Sequence, residues 1–197
     1  MEYRDALTKR RSVYALKAVS PVSDEVLIKR IKEVVNEAPS AFGAQAPRIV
    51  IALGDKHKKV WEIAKDTLRK IVPANKFSGT EAKLNMFEAG YGTILLYTDD
   101  AVTEKLKKDY PLYAKPQDQW AEHNIGILIA QLWSLFVDLG LAANLQHYNP
   151  LIDEAVAKEF KVPSSWRLAG EMVFGTEVAK PGEKDYTPID ERVLVEK

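Results

Sequence analysis

The chain has 197 residues, 46% hydrophobic and 28% charged, the make-up of an ordinary globular domain with enough length to bury a good core. Lys+Arg and Asp+Glu balance at 28 each, so no global field draws in nucleic acid or an anionic membrane surface. The absence of cysteine excludes disulfides, thiolate catalysis and Cys-ligated zinc or iron–sulfur centres.

One domain spanning residues 1–197 is expected. A first helix near residues 2 to 10 ends at Lys9-Arg10-Arg11, and MEYRDALTKR lacks the apolar core of a signal peptide. Pro21 and Ser23 announce a second helix, with Ser23 as N-cap and Asp24 and Glu25 favoured by the helix dipole. Val26, Leu27, Ile31, Val34 and Val35 are expected on its buried face, and Pro39 ends it. RIVIAL, residues 48–53, is a β-branched run closed by Gly54-Asp55 and reads as a buried strand. HKKVWEIAKDTLRKIV returns to helical period, TILLYT (93–98) is a second strand, and AVTEKLKKDY a short helix. Residues 117–139 form the longest helix, apolar nearly all round from Ile125, so its own core or a partner subunit is expected to cover several sides. Gln131, Ser134 and Asp138 break this run below membrane-spanning character, and a cytoplasmic protein is expected. ANLQ (143–146), IDEAVAKEF and RLAGEMVFG (167–175) read as strand, helix and strand. The Pro- and charge-rich tail from Ala179 has no core of its own and is expected to wrap over a neighbour, in a homodimer the other subunit. Interleaved helices and few strands read as an α/β or α+β architecture in which mixed strand order is plausible. No Gly-x-Gly-x-x-Gly or phosphate-loop motif supports a doubly wound dinucleotide fold.

Three segments carry candidate chemistry. Arg10-Arg11-Ser12 combines two guanidinium forks and a hydroxyl, which suits a phosphate grip; the same cations also serve simply as a favourable helix C-terminus. APSAFGAQAP (38–47) is small and polar, and reads either as a plain connection or as a loop admitting a flat ligand. NLQHYN (144–149) places polar groups and a ring at a strand end, a usual ligand position in α/β sheets, although His147 is equally readable as a structural histidine. His57 and His123 have no metal-ligand spacing, and no nucleophile elbow occurs. Of the four tryptophans, Trp120 is the one placed to line a pocket mouth; Trp61, Trp133 and Trp166 read as core or interface.

RRS at 10–12, PVSDEVLIKRIKEVVNEAPS leading into AFGAQ, GLAANLQHYN, MVFGTEVAKPGEK and the Pro188 region, in this order and spacing, resemble the flavin-dependent nitroreductase family over essentially the whole chain. GYGTILLY, LQHYNPLIDE, VPSSW and PGEK resemble its short subgroup, which includes the yeast fatty-acid-repression nitroreductase homologues and the bacterial copper-induced nitroreductase. The resemblance implies a nitroreductase-like α+β fold, α/β-like in three layers with a mixed central sheet flanked by helices, in a homodimer with FMN at each interface, the C-terminal tail exchanged between subunits, and NAD(P)H reducing a flavin that then reduces a small nitroaromatic or quinone in a ping-pong cycle. It implies that Arg10 and Arg11 hold the FMN phosphate and ring edge, that Ser12 adds a hydroxyl, and that Lys184 closes the phosphate site. Pro39, Ser40, Ala41, Phe42 and Gln45 would reach the flavin from the partner. Gln146, His147 and Tyr148 would set backbone amides near its reactive edge, and Lys83 or Asn85 matches the segment touching the pyrimidine. No metal and no obligatory acid or base is implied, with protons drawn from solvent. Tyr14 stands where the family often carries a cation, Gly43 where Asn is common, and Tyr186 near a second basic position, departures that bear on flavin potential and nicotinamide preference. A flavin-binding regulatory or stress-response protein with little turnover is the alternative.

Overall fold

The computed structural model describes residues 1–197. Its elements in chain order are α1 (Tyr3–Lys9), β1 (Leu16–Lys17), α2 (Asp24–Glu37), β2 (Pro47–Leu53), α3 (Asp55–Arg69), α4 (Phe77–Glu88), β3 (Gly92–Asp99), α5 (Asp100–Asp109), α6 (Gln117–Asp138), β4 (Ala142–Gln146), α7 (Asp153–Phe160) and β5 (Trp166–Glu177). Ser23 caps α2 as expected, its Oγ accepting the Val26 amide at 3.4 Å. Leu27 and Ile31 are fully buried, but Val26 is 44% exposed, because at the first turn it falls beside the buried stripe rather than on it. Helix α4 is not among the sequence expectations. Its buried residues Phe77, Leu84 and Phe87 are separated by Ser78-Gly79-Thr80, its N-cap makes no side-chain bond, and packing on α3 holds it.

The five-stranded sheet is built around β5, which pairs with β3 along one edge and with β4 and then β1 along the other. These ladders and β2–β3 are antiparallel, and one parallel bridge, Ser12 to Ala143, makes the sheet mixed. Strand alternation sends Leu95, Tyr97 and Val173 into a core beneath α3, α4 and α7, and Ile94, Leu96, Met172 and Phe174 into a second core beneath α2 and α6. The expected three layers follow. Between the first core and the sheet, neutral His57 bridges Thr93 Oγ1 (Nδ1, 2.8 Å) and the Glu88 carbonyl (Nε2, 3.1 Å), and Trp61 Nε1 donates to the same hydroxyl at 3.0 Å. Burial holds His57 below its ordinary pKa, so it remains an uncharged strut.

Only one side of α6 is covered by its own chain. Leu128, Leu132 and Phe136 are buried, whereas Ile127 is 38% exposed beside exposed Gly126 and Ala130. The tail begins along its own subunit, Val178 donating to the Ala15 carbonyl at 2.9 Å. Beyond it Tyr186, Ile189, Leu194 and Val195 are exposed. No helix is long and apolar enough to cross a membrane.

At Gly175 a Cβ would come within 2.7 Å of the Lys17 carbonyl and 3.0 Å of the Tyr91 amide, both backbone. Gly175→Ala is expected to destabilise the fold by about 1–3 kcal/mol through forced separation of β1 from β5. Gly79→Ala, with nothing within 4 Å, is expected to gain about 0.5–1 kcal/mol of helix stability. Urea unfolding at fixed protein concentration distinguishes the two.

Candidate functional site

Arg10 leaves α1 in an extended conformation, φ −58° and ψ 122°. The chain then runs beside β4, the Val13 amide donating to the Ala143 carbonyl at 3.0 Å. Buried Asn144 completes the tie: its Nδ2 donates to the Val13 carbonyl at 2.8 Å, and its Oδ1 accepts from Gln146 Nε2 at 2.9 Å. One amide side chain therefore joins Arg10-Arg11-Ser12 to the strand that ends in Gln146-His147-Tyr148.

Extended backbone alternates its side chains. Lys9, Arg11 and Val13 line a cavity of about 270 Å³ beside Gly140 and Glu177. The Arg10 guanidinium instead lies 4.8 Å from the centroid of the Trp133 ring, and Trp133 Nε1 donates to the Arg11 carbonyl at 3.2 Å. Arg11 Nη2 donates to the Gly182 carbonyl at 2.6 Å, and Lys184 Nζ to the Thr8 carbonyl at 3.2 Å. Arg11 and Lys184 thus sit in one circuit between α1 and the tail. Neither they nor Arg10 pairs with a carboxylate. No carboxylate lies within ion-pair distance of them, and each retains N–H donors for an oxyanion.

The turn after β4 has one amide engaged and one free. Tyr148 N–H donates to Glu171 Oε2 at 3.0 Å, whereas the His147 amide, outside the ladder, has no acceptor. His147 is exposed, and Gly170 leaves the turn room: a Cβ there would stand 3.1 Å from the Gln146 carbonyl and 3.3 Å from His147 Cδ2. The Tyr148 ring packs 5.9 Å from Trp61 and 6.3 Å from Phe87, and Phe87 meets Tyr14 at 6.3 Å. Helix α4 therefore borders the site, with Lys83 Nζ 5.9 Å from the Phe87 centroid and Asn85 exposed. Glu171 is fully buried on β5, and burial pushes its carboxyl up to about 8. Burial first, and then Glu171, pushes the Tyr148 phenol up to about 12. Sequence reasoning passed over Glu171 and the Arg10–Trp133 contact, and it gave Asn144 no role beyond a polar group of NLQHYN. The signal for the first was a lone acid inside the apolar strand RLAGEMVFG.

The third segment stands apart. Phe42, Gly43 and Gln45 have φ of 56°, 61° and 50°, left-handed positions interrupted by right-handed Ala44 that only a well-tied loop sustains. Ser40 ties it, its carbonyl accepting the Gly43 amide at 3.0 Å and its Oγ the Gln45 amide at 2.8 Å, while Ala41 N–H donates to Asn124 Oδ1 at 3.2 Å. Pro39 enters this turn after α2. The strain serves to present Phe42, which stacks 4.7 Å from Tyr110 and lies 5.7 and 5.8 Å from Tyr113 and Trp120. Ala41, Phe42, Trp120, His123, Asn124 and Ile127 line a cavity of about 370 Å³, which puts Trp120 at a pocket. Asn124 and Trp133 are nine residues apart on α6, so within one chain the loop and the Arg10 cluster are separated by about 14 Å along the helix.

A family model described as the nitroreductase family matches residues 7–176. Over 196 residues the chain is 38% identical to HBN1 of Saccharomyces cerevisiae, covering 98% of this chain and 96% of that protein. The nitroreductase CinD of Lactococcus lactis, solved in complex with nicotinic acid, superposes with a TM-score of 0.92 at 42% identity, covering 100% of both chains. CinD has also been solved with chloramphenicol and with 4-nitrophenol. A protein of Exiguobacterium sibiricum 255-15 solved with FMN shares the fold, with a TM-score of 0.71 at 15% identity, over 100% of this chain and 98% of that one.

Asn144→Ala leaves the Val13 carbonyl and the Gln146 amide unpaired. It is expected to cost about 1–3 kcal/mol in urea unfolding and to speed hydrogen exchange at Val13 more than at amides of α2.

Proposed function

The chain belongs to the nitroreductase family, and on that premise we propose that it is an FMN-dependent oxidoreductase. It works as a homodimer, passing electrons from NADH or NADPH to nitroaromatic or quinone-type acceptors. The observation that carries the reading is the set of cations without carboxylate partners, Arg10, Arg11 and Lys184, tied through Asn144 to a turn with a free amide. When bound, FMN supplies two-electron transfer from a nicotinamide to an acceptor in two half-reactions.

The residues fit that group. A phosphate near −2 charge needs several fixed N–H donors, and Arg10, Arg11 and Lys184 with the Ser12 hydroxyl supply them. The His147 amide is available to an electron-rich ring edge, with Gln146 and Tyr148 fixing the turn on either side. Lys83 and Asn85 on α4 border the same side. Pro39, Ser40, Ala41, Phe42 and Gln45 complete the site from a second copy, a reading supported by their separation from Arg10 within one chain. The open face of α6 and the exposed apolar tail support the same dimer. The aromatic wall of Phe42, Tyr110, Tyr113 and Trp120 suits flat electron-poor rings. No side chain at the free amide is placed as an obligatory acid, and protons come from solvent.

The purified protein is expected to be yellow and dimeric, with a flavin that bleaches anaerobically under NADH or NADPH and recolours with 4-nitrophenol or a quinone. A colourless protein that does not retain added FMN overturns the proposal. Yellow protein that leaves both nicotinamides unoxidised marks instead a flavin-binding protein with little turnover. Arg11→Ala removes a charge-assisted contact of about 1.5–3 kcal/mol; FMN affinity is expected to fall at least tenfold with an unchanged circular dichroism spectrum.

A further inference from the structure

Glu171 is out of place by composition. It lies on the central strand β5 with Leu95 beside it on β3 and Gln146 on β4, and its side chain enters the layer of Trp61, Phe87, Tyr97 and Val173. A fully buried glutamate normally has a cation; here none pairs with it. Its Oε2 accepts the Tyr148 amide at 3.0 Å, and its Oε1 has no protein partner. Three further buried atoms on this side of the sheet share that condition: Tyr97 Oη, Asn149 Oδ1 and Asp153 Oδ1. Each comes from a different element, β3, the turn after β4 and α7. Buried polar atoms seldom go unsatisfied, and a polar pocket with several converging groups is where proteins keep internal water.

We propose that Glu171 is the positioning residue for the cofactor-facing turn: one oxygen fixes the Tyr148 amide, leaving that of His147 free, while the other shares internal water with Tyr97, Asn149 and Asp153, so that the closed turn, which denies the carboxyl bulk water, is most stable while Glu171 keeps its proton. This goes beyond the proposed function and uses FMN only as one of two probes. The groups that bear on Glu171 are the Asp153 carboxyl from α7 and the Tyr97 and Tyr148 phenols from β3 and the turn; Arg167 acts on Asp153, itself raised by burial. Desolvation, the largest effect, and the Asp153 carboxyl disfavour the ionised form, and together they outweigh the hydrogen bond from the Tyr148 amide, which favours it. The folded protein therefore holds this proton more tightly than the unfolded chain does. The linked stability is complete below the ordinary value of 4.5 and is lost as pH rises through about 8. Above that pH the carboxylate seeks water, and the shortest route to it is opening of the 146–149 turn.

The test follows two readouts across pH 6 to 10, roughly bracketing the raised titration. One is hydrogen exchange at the Tyr148 amide in the protein as purified, corrected for intrinsic base-catalysed exchange. The other is dissociation of FMN from the loaded dimer. In the wild type both Tyr148 protection and FMN affinity are expected to fall through about pH 8, by no more than about tenfold per pH unit, because one proton is linked. Glu171→Gln keeps an acceptor for the Tyr148 amide and cannot ionise, so both profiles flatten in this window. Glu171→Leu loses Tyr148 protection at every pH; should it fail to fold, the Glu171→Gln comparison decides alone. A pH profile in Glu171→Gln matching the wild type, or wild-type protection that stays level through pH 8, overturns the proposal. A protein that does not bind FMN but shows the expected Tyr148 profile separates failure of the flavin reading from failure of this one.

Discussion

Strand β5 is paired along its whole length, on both edges over Glu171–Phe174, and most of the molecule is arranged to permit that. The twelve residues Trp166–Glu177 accept β3 on one side and β4 followed by β1 on the other. Its side chains alternate between the two faces of the sheet, helices cover both, and two separate apolar cores result. Close approach of β1 then requires glycine at 175. The irregularity opposite Leu96/Tyr97 interrupts the ladder near Gly170, beside the turn that closes on His147. Bulges in such places re-aim neighbouring groups. The candidate site is therefore not an appendage to the sheet but a consequence of how its central strand is satisfied.

The same strand explains why polar groups appear where packing alone would put leucine. Asn144 and Glu171 are buried amid apolar residues, and each makes a hydrogen bond with backbone belonging to another segment: Val13 for the first, Tyr148 for the second. These are directional contacts, so they fix the register of irregular chain where hydrophobic burial, which has no direction, does not. Exposed charges elsewhere behave differently. Arg167 engages Asp100 and Glu122, and Lys107 engages Glu104 and Asp118, on surfaces where such pairs add little stability. Against that background, a cation cluster held on carbonyls and an indole ring instead of carboxylates retains its attraction for an anion. A chain of zero net charge can still carry a local positive field.

Much of the architecture was legible in the residues. Caps and period delimited α2, α3, α5 and α7 to within a few positions, and short apolar runs marked β2, β3 and β5, because those signals act over a few neighbouring residues. Helix α4 was not legible: its apolar positions are interrupted and its cap is poor, so it exists because α3 offers a surface. Two-residue β1 depends wholly on β5 being there to receive it. Val26 misled because the buried stripe of a helix is set by its neighbour rather than by the count of apolar residues.

The sequence by itself determined the element order, the three-layer α+β class and three polar segments worth attention, since each is written in local propensity or residue type. Which of these segments meet was decided by the tertiary structure. Arg10-Arg11-Ser12 and Gln146-His147-Tyr148 are joined through one buried asparagine, while the Phe42 loop is carried to the other part of α6. The identity of Glu171 was always visible, but its character was not. A carboxyl becomes a buried, proton-holding strut only when a strand, a turn and a helix close around it and take its water away.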